Sequence, residues 1–222
     1  MQVKVCGITR PEDALAASDM GVDALGFIFF RKSPRCISVD KAVNIIGRLP
    51  SNVVRVGVFV NEDPAVVTYV IENCRLDMVQ LHGDESPEYA RSLSASIVIK
   101  AVDIRDDAAL EVALDYPAAA ILVDARAGDS YGGTGRRSNW TAAQTIGTRR
   151  PVILAGGLDP GNIGEALTKV RPAAVDFNSG VESAPGIKDH EKMALAIERS
   201  RKGCAGLRDG SPFRKRRVGE AW

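Results

Sequence analysis

The feature that most restricts the fold of this chain is the regular return of short apolar, β-branched runs, at residues 3–6, 24–29, 54–60, 78–81, 97–101, 119–123, 152–155 and 173–177. The segments between them place apolar residues at helical spacing. Strands alternating with helices, with many strands apolar on both faces, predict a parallel sheet covered by helices. Eight such units fit a closed barrel better than an open doubly wound sheet, since nothing strand-like is left for a second domain. The expected fold is therefore α/β, a single (β/α)8 TIM barrel. At 222 residues and 45% hydrophobic the chain is long enough and apolar enough for one such domain.

The barrel is expected to occupy residues 1–202. Residues 203–222 lack periodicity and carry Arg208, Arg214, Lys215, Arg216 and Arg217 against Asp209 and Glu220, so they read as an unstructured, basic, solvated tail. The net charge of +1 gives no global attraction to nucleic acid or membrane. No apolar run approaches the roughly 20 residues of a membrane span, and no leader precedes the first strand. Cys6, Cys36, Cys74 and Cys204 form no CxxC or metal-type spacing, so no metal is expected, and a reduced cytoplasmic enzyme is the implied class.

Several helix starts are written plainly. Thr9-Arg10-Pro11-Glu12 has the pattern of a capping box. Asp63-Pro64, Ser86-Pro87 and Asp159-Pro160 each set a capping residue before a proline at the first helical position. Residues 125–139, ARAGDSYGGTGRRSN, break the rhythm after the sixth run. A loop this long in a compact domain is usually functional or disordered, and its glycines suit a flap over a ligand. Gly132-Gly133-Thr134-Gly135 lacks the spacing of a nucleotide-binding P-loop.

In a barrel of this type, chemistry sits where strands run into their following helices. The first strand ends in Cys6-Gly7, the fourth in His82-Gly83-Asp84 and the sixth in Asp124; Arg35 follows the second. Cys6 lies before a helix start and suits a general base or a nucleophile. Asp124, following AAILV, suits a carboxylic acid whose burial keeps its proton. Arg35 has the geometry to fork onto a carboxylate, and His82 suits a hydrogen-bonding or substrate-facing role. The last two strands exit into Gly156-Gly157 and Asn178-Ser179-Gly180. Bare backbone at both exits predicts a cup of N–H groups for an anion. The structural alternatives are equally concrete: a small buried cysteine, a loop-capping aspartate, and glycines that merely turn the chain.

Taken together, KVCGITRPEDA at 4–14, DALGFIF at 23–29, KSPR at 32–35, RVGVFVN at 55–61 and VQLHGDESPEY at 79–89 resemble the phosphoribosylanthranilate isomerase family. GGTGR with Trp140, PVILAGGLDPGNI and AVDFNSGVESAPGIKD extend the resemblance, which spans roughly residues 2–200. It implies a cofactor-free Amadori rearrangement in tryptophan biosynthesis, with Asp124 as acid and Cys6 as base. It further implies Arg35 on the anthranilate carboxylate, His82 beside the aromatic ring and Asp176 near the sugar hydroxyls. The phosphate would be held by Gly156, Gly157, Ser179, Gly180 and, from the flap, Gly135. The expected partner is a small phosphorylated substrate, with no nucleic acid or membrane, in a monomer or homodimer. Where the family often has Asp-Ser and paired serines, this chain has Asp124-Ala125 and Asn178-Ser179. Two other readings remain: a noncatalytic phosphate-sugar-binding barrel, and the related aminoaldose isomerase of histidine biosynthesis. The latter uses two aspartates, and a cysteine at the first strand argues against it.

Overall fold

A computed structural model describes residues 1–94, 97–125, 138–203 and 211–216. Eight strands run in parallel around a closed barrel: β1 (Gln2–Val5), β2 (Ala24–Ile28), β3 (Val54–Phe59), β4 (Met78–Leu81), β5 (Val98–Val102), β6 (Ala120–Val123), β7 (Val152–Leu154) and β8 (Ala174–Phe177). Closure is made by β1 on β8, with Lys4 in register with Asp176. Outside lie α1 (Pro11–Asp19), α2 (Val39–Ile46), α3 (Pro64–Cys74), α4 (Pro87–Ser92), α5 (Asp107–Asp115), α6 (Trp140–Gly147), α7 (Ile163–Val170) and α8 (His190–Lys202). A short hairpin, β9 (Glu182–Ala184) with β10 (Ile187–Lys188), follows β8. Among the described residues, no helix is long and apolar enough to cross a membrane.

The strand period of two sorts the residues into layers. Val3, Val5, Leu25, Phe27, Val79 and Leu81 face the helices in the main core. Their neighbours Ala24, Val54, Val56, Met78, Ile99, Leu122, Ile153 and Ala174 fill the barrel interior. The same alternation turns Lys4, Cys6, Gln80, Asp124 and Asp176 inward, because each is an even number of residues from an interior or cavity-lining position on its own strand.

Two helix starts follow the sequence: Asp63 caps α3 by accepting from Ala65 N at 2.7 Å, and Ser86 caps α4 by accepting from Tyr89 N. Two do not. Arg10, not Thr9, is the N-cap of α1, and the Thr9 hydroxyl instead donates to the Gly186 carbonyl of the β9–β10 turn at 2.6 Å. That tertiary bond outcompetes the local box. Likewise α7 starts at Ile163 with Asn162 as N-cap. Asp159 accepts from Gly161 N and Asn162 N, while Asn162 bonds back to Gly157 O and Asp159 N, so the chain closes a turn of its own before the helix begins.

The expectation of a featureless tail fails for residues 211–216. Phe213 is 2% exposed and packs with the interior cluster. Gln2 brackets it, accepting from Phe213 N and donating to Phe213 O, both at 2.8 Å. Lys215 meets the buried Asp77 at 3.0 Å. Charge alone suggested solvent, but one aromatic ring beside a barrel floor of small apolar residues outweighs it. Residues 204–210 and 217–222 lie outside the described residues.

Candidate active site

At the carboxyl end of β1, Lys4 and Cys6 project into the barrel. Lys4 is fully buried and its Nζ lies 2.7 Å from Asp176 Oδ2 on β8. Gly26 on β2 makes this possible: a Cβ there would stand 2.6 Å from Cys6 Sγ and 3.1 Å from Lys4 Cε. Burial works against the Lys4 charge, but Asp176 and Cys6 outweigh it and hold the ammonium above its ordinary value. For Cys6 burial wins, pushing the thiol up, while the charge and hydrogen bond of Lys4 pull it back. Lys4 thus offsets part of what burial costs a thiolate at Cys6.

Asp124, just past β6, is not an isolated carboxyl group. Its Oδ1 accepts from Ala125 N at 2.7 Å, and its Oδ2 lies 3.3 Å from His82 Nε2. The other ring nitrogen of His82, Nδ1, is 2.7 Å from Gln80 Nε2. All three residues are buried. The loop carrying His82 is fixed by Glu85, which accepts from Asn61 N and Gly83 N and pairs with Lys100 Nζ at 2.8 Å.

Arg35 is buried and already engaged. Its Nε and Nη2 fork onto Glu182, the Nη2 contact being 2.7 Å. Glu182 also accepts from Lys188 Nζ at 2.8 Å. Burial disfavours the Glu182 charge, but Arg35 and Lys188 outweigh it and hold the carboxyl below its ordinary value. One edge of the guanidinium is therefore spent on holding it in place. Nη1 makes no hydrogen bond to a described residue, and Arg35 lines the cavity.

Gly156 and Gly157 both adopt positive φ, +81° and +61°, so the exit of β7 turns in a conformation that favours glycine. After β8, Ser179–Val181 forms a single 3-10 turn. The N–H groups of Gly156, Gly157, Ser179 and Gly180 donate to no described residue, which leaves them for an anion.

These groups meet in one cleft at the carboxyl ends of the strands. Cys6, Arg35, His82, Asp124, Asp176, Gly156, Gly157, Ser179 and Gly180 all line it, joined by the apolar Ile28, Phe30, Val58 and Val60. Gly135 falls outside the described residues. Sequence reasoning missed Lys4, Gln80, Glu182 and Lys188. Lys4 and Gln80 carried a usable signal, each being a polar residue at an inward position between apolar neighbours of its strand. Glu182 and Lys188 sit in a hairpin whose fold against Arg35 no local pattern announces.

The family profile described as N-(5'-phosphoribosyl)anthranilate (PRA) isomerase matches residues 3–199. A protein of that name from Syntrophus aciditrophicus (strain SB) is 50% identical over 214 residues, covering 96% of this chain and 93% of its own length. Among solved structures, a phosphoribosyl anthranilate isomerase in complex with reduced 1-(o-carboxyphenylamino)-1-deoxyribulose 5-phosphate is 40% identical, with a TM-score of 0.81, covering 91% of this chain and 99% of that one. Monomers generated from the dimeric isomerase of Thermotoga maritima give the same identity, TM-score and coverage. With a closed barrel, a match to the family profile over residues 3–199 and a relative 50% identical along nearly its whole length, the chain belongs to the N-(5'-phosphoribosyl)anthranilate isomerase family.

Proposed function

We propose that Asp124 and Cys6 carry the isomerisation from different walls of the cleft, Asp124 as acid and Cys6 as base. The reaction is the Amadori rearrangement of N-(5'-phosphoribosyl)anthranilate to 1-(2-carboxyphenylamino)-1-deoxyribulose 5-phosphate in tryptophan biosynthesis. Asp124 gives its proton to the ribose ring oxygen, the C–O bond breaks, and the sugar opens to a protonated Schiff base. The Cys6 thiolate then removes the proton from the second sugar carbon, leaving an enolamine. Return of a proton to the first carbon, and loss of the hydroxyl proton at the second, give the ketone and restore both groups. The observation that carries this reading is the single cleft that holds a carboxyl group, a cation-supported thiol and an N–H cup together. Two groups in different surroundings, one kept as acid and one as base, are what such chemistry needs.

Arg35 meets the anthranilate carboxylate through the guanidinium end that Glu182 leaves open, His82 borders the ring, and Asp176 faces the sugar hydroxyls. Among the described residues the buried Asp176 Oδ1 has no hydrogen-bond partner, an acceptor suited to a hydroxyl donor. The phosphate rests on Gly156, Gly157, Ser179 and Gly180. A monomer or a homodimer is the expected assembly. Loss of substrate fluorescence on adding the protein tests the reading; binding without turnover would leave a noncatalytic phosphate-sugar binder instead.

The phosphate cup has its own test. A side chain at Gly157 intrudes on the anion and strains a positive-φ backbone. Gly157→Val is expected to raise KM at least about tenfold, since a hydrogen bond to a charged group is worth about 1.5–3 kcal/mol. Steady-state kinetics on protein with an intact thermal transition checks it, and an unchanged KM moves the phosphate elsewhere.

A further inference from the structure

The pairing of Gln80 with His82 has a chemical consequence for Asp124, and it rests on the acid assignment above. Gln80 is 1% exposed, and its amide N lies 2.7 Å from His82 Nδ1. An amide nitrogen only donates, so Nδ1 accepts and carries no proton. The ring proton of a neutral imidazole then sits on Nε2, facing Asp124 Oδ2 at 3.3 Å.

The opposite amide orientation would put Oε1 on an Nδ1–H and bury the amide N–H groups where Oε1 now lies. In the present one Oε1 is buried with no partner among the described residues. A buried carbonyl lacking its donor is tolerated more often than a buried donor lacking its acceptor. The geometry therefore favours the donor facing the ring.

We propose that Gln80 is a positioning residue that holds His82 as its neutral Nε2–H tautomer, so that His82 orients Asp124 without taking its proton. An imidazolium at His82 would bind Asp124 as a carboxylate, which has no proton to give to the ring oxygen. With its amide N–H aimed at Nδ1, Gln80 opposes the second protonation that would form that imidazolium. His82 Nε2 stands 3.3 Å from Asp124 Oδ2, while Ala125 N holds Oδ1.

The chain has two histidines, so long-range 1H–15N spectra of the ligand-free protein at neutral pH resolve them, and His82→Asn assigns the pair. In the unaltered protein His82 is expected to show an unprotonated Nδ1 and a protonated Nε2. Gln80→Glu replaces the donor with an acceptor; both nitrogens should become protonated, with kcat falling at least tenfold and KM changing less than threefold. Gln80→Met, uncharged and of similar length, should admit the Nδ1–H form and lower kcat to a smaller extent. An Nδ1–H or imidazolium signal in the unaltered protein overturns the proposal, as does unaltered kcat in both variants. Full turnover by Asp124→Asn would remove the acid assignment itself while leaving the tautomer result standing, so the two failures are separable.

Discussion

Asp124→Asn is expected to lower kcat by about 10²–10⁴-fold, and Cys6→Ala by a similar factor, because each removes one positioned proton transfer. The amide keeps the shape of the carboxyl group and its contact with Ala125 N, but it has no acidic proton for the ring oxygen. Alanine keeps the backbone of β1 and removes the sulfur that Gly26 makes room for. Neither change touches the N–H groups of Gly156, Gly157, Ser179 and Gly180, so product affinity should stay within severalfold. The double variant should fall by less than the product of the two losses, since groups serving one reaction path are not additive. The sign of the pH dependence follows from Cys6. Burial pushes its thiol above the ordinary value, and the base is the thiolate. Activity limited by that base therefore rises with pH through the neutral range, and the rise disappears in Cys6→Ala. Steady-state kinetics beside equilibrium titration with product decide the matter; near-normal turnover in both single variants removes the acid–base assignment.

The barrel was legible because its signal is repeated eight times and is local. Runs bounded by turns need no tertiary information, and the observed strands fall within a residue or two of those runs. The residues at the strand exits were legible for the same reason, since in this architecture position along a strand fixes which end of the barrel a side chain occupies. Partners across the barrel were not. That His82 contacts Asp124, or that Glu182 clamps Arg35, depends on side chains separated by 42 and 147 residues meeting in space. Of the two helix starts that moved, one has the same origin, since Thr9 found a carbonyl on the β9–β10 turn, whereas Asn162 closed a local turn on Gly157. Lys4 shows the limit of composition. A lysine in a strand suggests an exposed face, yet here an aspartate in register on β8 makes its burial tolerable.

Removal of the docked segment by ending the chain at Gly210, or removal of its ring by Phe213→Ala, is expected to destabilise the fold by about 3 kcal/mol, the lower end for a buried phenylalanine. For a chain of this size that corresponds to a fall in Tm of roughly 6–12 °C. Phe213 joins the interior cluster that includes Ala24, Val54 and Ala174 at the amino ends of their strands, where no substrate-facing group lies. Without the ring those small residues meet water from below. Gln2, which now saturates both its amide ends on the Phe213 backbone, loses its partner in the truncated chain. Asp77 loses Lys215 but keeps Arg55, whose bidentate contact at 2.8 Å does most to hold its carboxyl below the ordinary value against the cost of burial. The ring, rather than the ion pair, should therefore carry the docking, so Phe213→Ala and the truncation should cost nearly the same while Lys215→Ala costs far less. Because the segment lies beyond the residues that match the family profile, the catalytic cleft at the other end should keep its kcat. Thermal melts of the three variants test this. A Tm unchanged by Phe213→Ala would show that the ring contributes nothing to closing the barrel floor, and a fall in kcat at temperatures where the variant is fully folded would show that the two ends of the barrel are coupled.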